Sequence, residues 1–372
     1  MADKIFADKV YTDGKVLNNR LISIEGGVIT AVELALPTDT IKRVACLAPG
    51  FTDIHINGGK KYHFTENTST EAVEDIDLAC AQVGTAYALP ALITSPASTL
   101  FQGIDAIRDY CSKLVHPRIL GIHLEGPFIS EAKRGAHLSA YIRKPTTRDL
   151  EEMIDSGRDV IKMITIAPEM FTADQLELLV SSGITISLGH SNATYKEARE
   201  AFAKGIHLVT HLYNAMSGLN HREPGLVGAA FDTPSVYTPI ILDGRHCDFA
   251  AARIAYKIKG DHLFLISDAL FVGREVVNFN WGEFDAHLQD DEYINSQGHL
   301  AGSAISLGEA VRNAIYEVGI PLEEALDMAT LRPAKVLGLD STIGRIASGY
   351  PAVFTTFDES LNHFETLALP GI

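Results

Sequence analysis

The chain has 372 residues, of which 46% are hydrophobic and 21% charged, and its formal net charge is -16. This length suffices for one large domain with a small companion, and the composition is typical of a soluble globular enzyme. Because the chain is acidic and has no block of Lys or Arg, we expect neither nucleic acid nor an anionic membrane as a partner. The four cysteines show no C-x-x-C spacing, and we find no signal peptide or membrane span, so we expect a cytoplasmic protein with free thiols.

The first predicted elements are short β-strands in residues 1–48, separated by Asp-Gly and Gly-Gly turn signals. Eight strand-like runs follow, most of them with a helical pattern behind them that often ends on Gly. Eight β-α alternations predict an α/β fold, a parallel (β/α)8 TIM-type barrel over residues 49–343. A doubly wound open sheet would give the same alternation, but the count of eight and the absence of an initial G-x-G-x-x-G favour the barrel.

The C-terminal part of the chain departs from the β-α alternation in two places. After the eighth strand, residues 274–304 predict a β-hairpin insertion with a turn near Ser296–Gly298, and two helices follow. The tail, 344–372, returns to a strand pattern, which we expect to pair with the N-terminal strands. We therefore predict a small β-sandwich domain built from both chain ends, 1–48 and 344–372.

Three apolar runs each end in a residue type that binds metals. HLEGPF contains Glu125, LGHSNAT contains His190 and THLYNAM contains His211. Each residue alone has an ordinary explanation, as a salt-bridge partner or a hydrogen-bonded core histidine. In a barrel, however, all three would meet at the carboxyl ends of the strands. One carboxylate and two imidazoles form a three-ligand set with a fourth position open, which zinc, iron and manganese all accept.

Further candidates surround this predicted site. His55, on the first strand, is a possible ligand of a second metal, and Asn57, two residues on, would be a weak one. Asp268 ends the eighth strand, where it could act as general base and then general acid, although an N-cap role is also common there. His137, Arg222 and His246 lie in loops after strands, where they could polarise a carbonyl (His137) or hold an anion.

The ordered motifs PGFTDIHING, HLEGPF, RGAH, LGHS, THLYNAM, REPG, DGRH, SDA and HLAGSA resemble the N-acetylglucosamine-6-phosphate deacetylase family of the amidohydrolase superfamily. The resemblance covers essentially the whole chain. It implies a (β/α)8 barrel, usually a homodimer, that removes acetate from an amino-sugar phosphate.

The resemblance also implies roles for particular residues. Glu125, His190 and His211 would hold the metal, and Asp268 would be the catalytic acid and base. The implied substrate contacts are Ala136, His137, Asn214, Ala215, Arg222, His246, Leu300, Ala301 and Gly302. In this family the phosphate-binding arginine can come from the neighbouring subunit. Members with two metals carry His-x-His on the first strand, where this chain has His55-Ile56-Asn57, so we expect one tight divalent metal, zinc first, and an optional weaker second.

The resulting hypothesis is hydrolysis of N-acetylglucosamine 6-phosphate in amino-sugar catabolism. His137 would stabilise the oxyanion, and Arg222 and His246 would hold the phosphate. One alternative is another amidohydrolase, such as an N-acetylgalactosamine-6-phosphate deacetylase or an enzyme acting on a cyclic amide, an acylated amino acid or a nucleobase. A non-catalytic barrel is a second alternative, but such a protein should have lost the ligand set.

Overall fold

The computed structural model describes residues 3–38, 41–298 and 300–368. Its strands are β1 (Asp3–Thr12), β2 (Lys15–Glu25), β3 (Val28–Leu34), β4 (Lys42–Pro49), β5 (Phe51–Ile56), β6 (Thr85–Ile93), β7 (Ile122–Glu125), β8 (Ile161–Ile166), β9 (Thr185–Leu188), β10 (Thr238–Ile241), β11 (Leu263–Ile266), β12 (Asn278–Trp281), β13 (Phe284–Gln289), β14 (Glu292–Ile294), β15 (Leu300–Gly302), β16 (Val353–Phe357) and β17 (Phe364–Ala368). Its α-helices are α1 (Thr70–Gln82), α2 (Ala97–Ser112), α3 (Thr147–Gly157), α4 (Ala173–Ser181), α5 (Tyr195–Ala203), α6 (Gly225–Phe231), α7 (Phe249–Lys259), α8 (Leu307–Asn313), α9 (Leu322–Ala329) and α10 (Leu331–Val336).

A curled parallel sheet forms the centre of the molecule. Strands β5 to β9 are hydrogen-bonded in chain order, and β10 pairs with β11. Single parallel bridges continue the curve from Leu188 to Val209 and from Leu208 to Tyr237. A further parallel bridge, between Ile56 and Ala269, joins β5 to the segment after β11. Every residue of β5, β6 and β7 is buried, as expected for parallel strands covered on both faces. The fold is thus α/β with a curled parallel sheet.

The sixth predicted strand, 207–214, differs from the expectation. Its residues form only isolated bridges, because the backbone turns out of the extended region at His211 (φ 33°) and again at Tyr213 (φ 78°). The turn begins two residues after the last bridged residue of the segment, Val209, and places His211 at the site described below.

Several helices begin at strong capping signals. A capping box begins four of them, α3, α4, α5 and α8. In this motif the hydroxyl of the residue before the helix accepts a hydrogen bond from the backbone N–H three residues on. The acidic or amide side chain of that third residue accepts one from the backbone N–H of the hydroxyl residue. The hydroxyl residues are Thr146, Thr172, Thr194 and Ser306. Across the described ranges, we find no helix with the length and apolarity required to cross a bilayer.

Both chain ends contribute to a second sheet, with the strand order β17-β16-β4-β1-β2-β3. We predicted a β-sandwich, but the described strands form one hydrogen-bonded sheet. This sheet bends back on itself, because Val28 at the start of β3 bridges to Pro351 just before β16. The bend encloses an apolar cluster that includes Ile5, Ile22 and Phe354.

The insertion after β11 is larger than the predicted hairpin. It forms a four-stranded antiparallel sheet, β12-β13-β14-β15, with the predicted turn between β14 and β15. Its buried face carries Phe279, Phe284 and Tyr293, which pack against Leu270 and Phe271. Because Leu270 and Phe271 closely follow β11, the insertion lies beside the carboxyl ends of the parallel strands.

Candidate metal centre

Four predicted site residues adopt a backbone conformation that is rare for residues other than glycine. His190, His211, Ala215 and Asp268 have φ values of 46°, 33°, 49° and 49°. Such conformations cost of the order of 1–3 kcal/mol each and concentrate at functional sites. Backbone hydrogen bonds hold two of these turns, since Ser130 N donates to His190 O (2.8 Å) and Asp268 N donates to His55 O (2.9 Å).

Glu125, His190 and His211, which we call the metal centre, meet at one carboxylate oxygen. Glu125 Oε1 lies 3.1 Å from His190 Nε2 and 3.1 Å from His211 Nε2. The two Nε2 atoms are 3.0 Å apart. All three side chains are buried, so the predicted trio converges away from bulk water.

The chemistry of these atoms fits a cation. His190 Nδ1 is 2.9 Å from Lys133 O and His211 Nδ1 is 3.1 Å from Asn214 O. A carbonyl oxygen only accepts, so each Nδ1 must be the donor, and the Nε2 atom of each neutral ring carries a lone pair. Two lone pairs and a carboxylate oxygen therefore face one another, an arrangement that a bound cation would stabilise.

The charge of Glu125 is maintained by its neighbours. Burial alone would raise the pKa of this carboxyl, but the charge of the His55 imidazole, above all, holds the pKa well below its usual range. Glu125 is therefore an anionic ligand at neutral pH.

The second oxygen of Glu125 faces two other histidines. Glu125 Oε2 lies 3.2 Å from His55 Nε2 and 3.6 Å from His137 Nε2. Glu125, His137 and His190 form a buried group whose ligand atoms lie within 4.8 Å of one another. Proximity alone would thus admit His137 as a ligand, which the sequence did not suggest.

The hydrogen bonds of His137 argue for a different role. Thr94 N donates to His137 Nδ1 (3.3 Å), so this nitrogen is an acceptor and the neutral ring carries its proton on Nε2. Burial lowers the pKa of His137 to about 4, which keeps the ring neutral. An N–H that faces the centre suits hydrogen bonding to a carbonyl oxygen better than metal ligation.

His55 connects the metal centre to Asp268. Its Nε2 is 3.2 Å from Glu125 Oε2 and 3.2 Å from Asp268 Oδ1. Burial lowers the pKa of His55, but the carboxylates of Asp268 and Glu125 more than compensate and raise it to about 9. Asn57 Nδ2 donates to the same Asp268 oxygen at 2.9 Å. Asn57, weighed as a weak ligand, therefore holds the side chain of Asp268.

A cavity of about 220 Å³ opens above the metal centre. Of the predicted substrate contacts, all but one line it: Ala136, His137, Asn214, Ala215, His246, Leu300, Ala301 and Gly302. The exception is Arg222, which is exposed and is not part of the cavity wall. Within this chain, the structure does not bring Arg222 to the other predicted residues.

His246 lies in the cavity wall beside a carboxylate. Its Nδ1 lies 2.6 Å from Asp243 Oδ2. Burial opposes the charge, but the bond to Asp243 raises the pKa of His246, and the same contact lowers the pKa of Asp243. A protonated ring at this position could hold an anionic group of a ligand.

Sequence reasoning missed several residues of the wall, among them His63 and Phe284. Phe284 belongs to the insertion, whose four-stranded form we did not predict. His63 lies in the loop after β5, where an antiparallel bridge to Gly58 turns the chain back toward the cavity. The two neighbouring glycines, Gly58 and Gly59, were the one available signal of such a close turn.

The curled parallel sheet and the metal centre are consistent with one class of protein, the metal-dependent hydrolases. Residues 46–371 match the amidohydrolase family, and the chain belongs to this family. The N-acetylglucosamine-6-phosphate deacetylase of Haemophilus influenzae is 35% identical over 357 residues, which cover 94% of this chain and 93% of that protein. The N-acetylgalactosamine-6-phosphate deacetylase of a Shewanella species is 35% identical over 361 residues, 94% of this chain and 91% of that protein. The resemblance read from the motifs is thereby confirmed.

Solved structures give the same result. The N-acetylglucosamine-6-phosphate deacetylase of Pasteurella multocida has a TM-score of 0.92 and 33% identity, and the match covers 99% of this chain and 100% of that one. A mutant of the Mycobacterium smegmatis enzyme, in complex with N-acetyl-D-glucosamine-6-phosphate, has a TM-score of 0.90 and 28% identity, covering 97% of this chain and 96% of that one.

Proposed function

We propose that the protein is a hydrolase that converts N-acetyl-D-glucosamine 6-phosphate and water to D-glucosamine 6-phosphate and acetate. The relatives from Haemophilus influenzae and Pasteurella multocida, which match nearly the whole chain, carry this activity in their names. The observation that carries the proposal is the metal centre, where two imidazoles converge on the anionic Glu125 beneath a cavity that has His246 in its wall.

Glu125, His190 and His211 would hold one divalent cation, with zinc as the first candidate and iron or manganese as alternatives. When bound, the cation supplies Lewis-acid activation of water and of the amide carbonyl. His55 would be the residue for a weaker second metal, and it would have to release the proton that the carboxylates of Asp268 and Glu125 favour on its ring.

The remaining groups would divide the acid–base and binding work. Asp268 takes a proton from the attacking water at a carboxylate oxygen and returns it to the departing amine. His137 donates its Nε2 proton in a hydrogen bond to the carbonyl oxygen as negative charge develops there. His246 holds the phosphate, and binding energy from that remote group places the amide over the metal centre.

The larger assembly is also part of the proposal. The curled sheet is a (β/α)8 barrel over 49–343, and the β domain spans 1–48 and 344–372. The protein is a cytoplasmic homodimer, in which the exposed Arg222 of one subunit reaches the phosphate in the partner's cavity. This assignment accounts for a predicted phosphate contact that lies outside its own cavity wall.

The alternative substrate is N-acetylgalactosamine 6-phosphate, because relatives with that activity match the chain at 35% and 29% identity. The test is acetate release by metal-analysed protein from the gluco and galacto substrates, each with and without phosphate. We expect the highest kcat/KM with N-acetylglucosamine 6-phosphate. A higher kcat/KM for the galacto substrate would transfer the assignment, and activity toward none of the four would refute it.

A further inference from the structure

His63 lies in the wall of the cavity, and no step of the proposed reaction uses it. Its side chain is 1% exposed, and neither ring nitrogen has a hydrogen-bond partner among the described residues. Buried polar groups in folded proteins are normally paired, and an unpaired one is costly. A phenylalanine would fill the same space without that cost, so packing alone does not account for an imidazole here.

The position of the ring is fixed by its neighbours. The backbone of His63 forms an antiparallel bridge with Gly58. The imidazole stacks on Phe279, with 5.0 Å between ring centroids and 25° between planes, and meets Phe271 edge-on at 6.1 Å. These contacts hold the imidazole in place at the cavity wall.

The chemistry of the ring restricts its partner. Burial lowers the pKa of His63 to about 3, so the ring is neutral at working pH and offers one N–H donor and one bare nitrogen. A phosphate dianion only accepts hydrogen bonds, and a metal ion only takes lone pairs. A sugar hydroxyl both donates and accepts, so it matches either nitrogen.

His63 is also outside the cluster that performs the hydrolysis. The buried group of close ligand atoms consists of Glu125, His137 and His190 and does not include it. With the acetamide on C2 at the metal centre and the phosphate on C6 near His246, the secondary hydroxyls of the sugar carbons between them are those on C3 and C4.

We propose that His63 hydrogen-bonds the C3 or C4 hydroxyl of the amino sugar and so positions the ring over the metal centre. This contact rests on the proposed function, since that function supplies the sugar.

The test compares His63→Phe with wild-type holoenzyme on N-acetylglucosamine 6-phosphate and on its 3-deoxy and 4-deoxy analogues. We expect His63→Phe to lower kcat/KM for the full substrate about tenfold, because a hydrogen bond made in the transition state is lost. On the analogue that lacks the partner hydroxyl, the two proteins should agree within about twofold. His63→Gln, which keeps a donor and an acceptor, should restore part of the loss on the full substrate.

Two results would overturn the contact: no loss in His63→Phe, or the same loss on the substrate and on both analogues, which is the signature of a structural defect. If His63→Phe does not fold, His63→Met removes the same polar atoms and is compared in the same way. Wild-type protein that releases no acetate from the full substrate would instead refute the proposed function, and the contact with it.

Discussion

Asp268→Asn is the sharpest test of the proposed acid–base chemistry. Asparagine has nearly the same shape, and its amide oxygen can still accept the hydrogen bond that Asn57 donates at 2.9 Å. Because Asp268 is not one of the three proposed ligands, the metal content should stay at the wild-type level. What the variant loses is the ability to take up and return a proton.

The expected loss follows from that single change. General acid–base catalysis contributes about 10²- to 10⁴-fold, and here one group serves both proton transfers, so we expect kcat to fall toward the upper end. That loss corresponds to about 3–5.5 kcal/mol in the activation free energy. The Asp268 side chain is only 17% exposed and lies 3.2 Å from His55 Nε2. Because the variant leaves the buried His55 with one anionic partner fewer, Tm should also fall, and kcat is measured at a temperature where the variant is folded.

The assay measures initial rates of acetate release at saturating substrate, with metal content and Tm determined on the same preparation. Asp243→Asn is a matched control, since it removes the same charge from a residue paired with His246 and should change KM more than kcat. An Asp268→Asn protein that holds its metal and keeps kcat within about tenfold of wild type would show that another group moves the proton.

Three further changes test other parts of the site. Glu125→Gln removes the anion that faces four imidazoles and should abolish stoichiometric metal binding, with a stability loss of about 3–5 kcal/mol; metal content near that of wild type would contradict the ligand set. Arg222→Ala, at an exposed position, should leave Tm unchanged and reduce the kcat/KM preference for phosphorylated over unphosphorylated sugar; an unchanged preference would favour a different amidohydrolase activity. Asp243→Asn removes the ion pair with His246. The raised pKa of His246 means that this pair stabilises wild type fully below about pH 6.5 and that the stabilisation is lost as pH rises through the raised value. The lowered pKa of Asp243 means that the stabilisation is also lost as pH falls below about 4. The Tm difference from wild type should thus be largest between these limits, and a difference that grows from pH 6 to 9 would contradict the assignment.

The metal centre could be predicted because its signals are local. Glu125, His190 and His211 each end an apolar run, and one rule about parallel strands brings three such ends together. The tautomers could not be predicted, because they depend on carbonyl oxygens such as that of Lys133, which loops bring into place from 57 residues away.

The rest of the site depended on tertiary packing. His63 belongs to no recognisable motif. Its ring is held by an aromatic neighbour, Phe279, which lies more than 200 residues later in the chain. Phe279 belongs to the insertion that we predicted as a simple hairpin. Arg222 was placed by its motif, whereas its exposure depends on how the loop after His211 lies. The single bent sheet was missed because strand patterns do not reveal whether two halves stay hydrogen-bonded.

The position of β4 has a consequence for synthesis. This strand is hydrogen-bonded to β1 on one side and to β16 on the other, and roughly 300 residues of chain separate β4 from β16. While the ribosome makes those residues, the outer edge of β4 has no partner, and unpaired edges invite association between nascent chains. Loss of β16 and β17 from the finished chain would make that exposed edge permanent, so we expect truncation there to cause aggregation before it affects the chemistry of the distant metal centre.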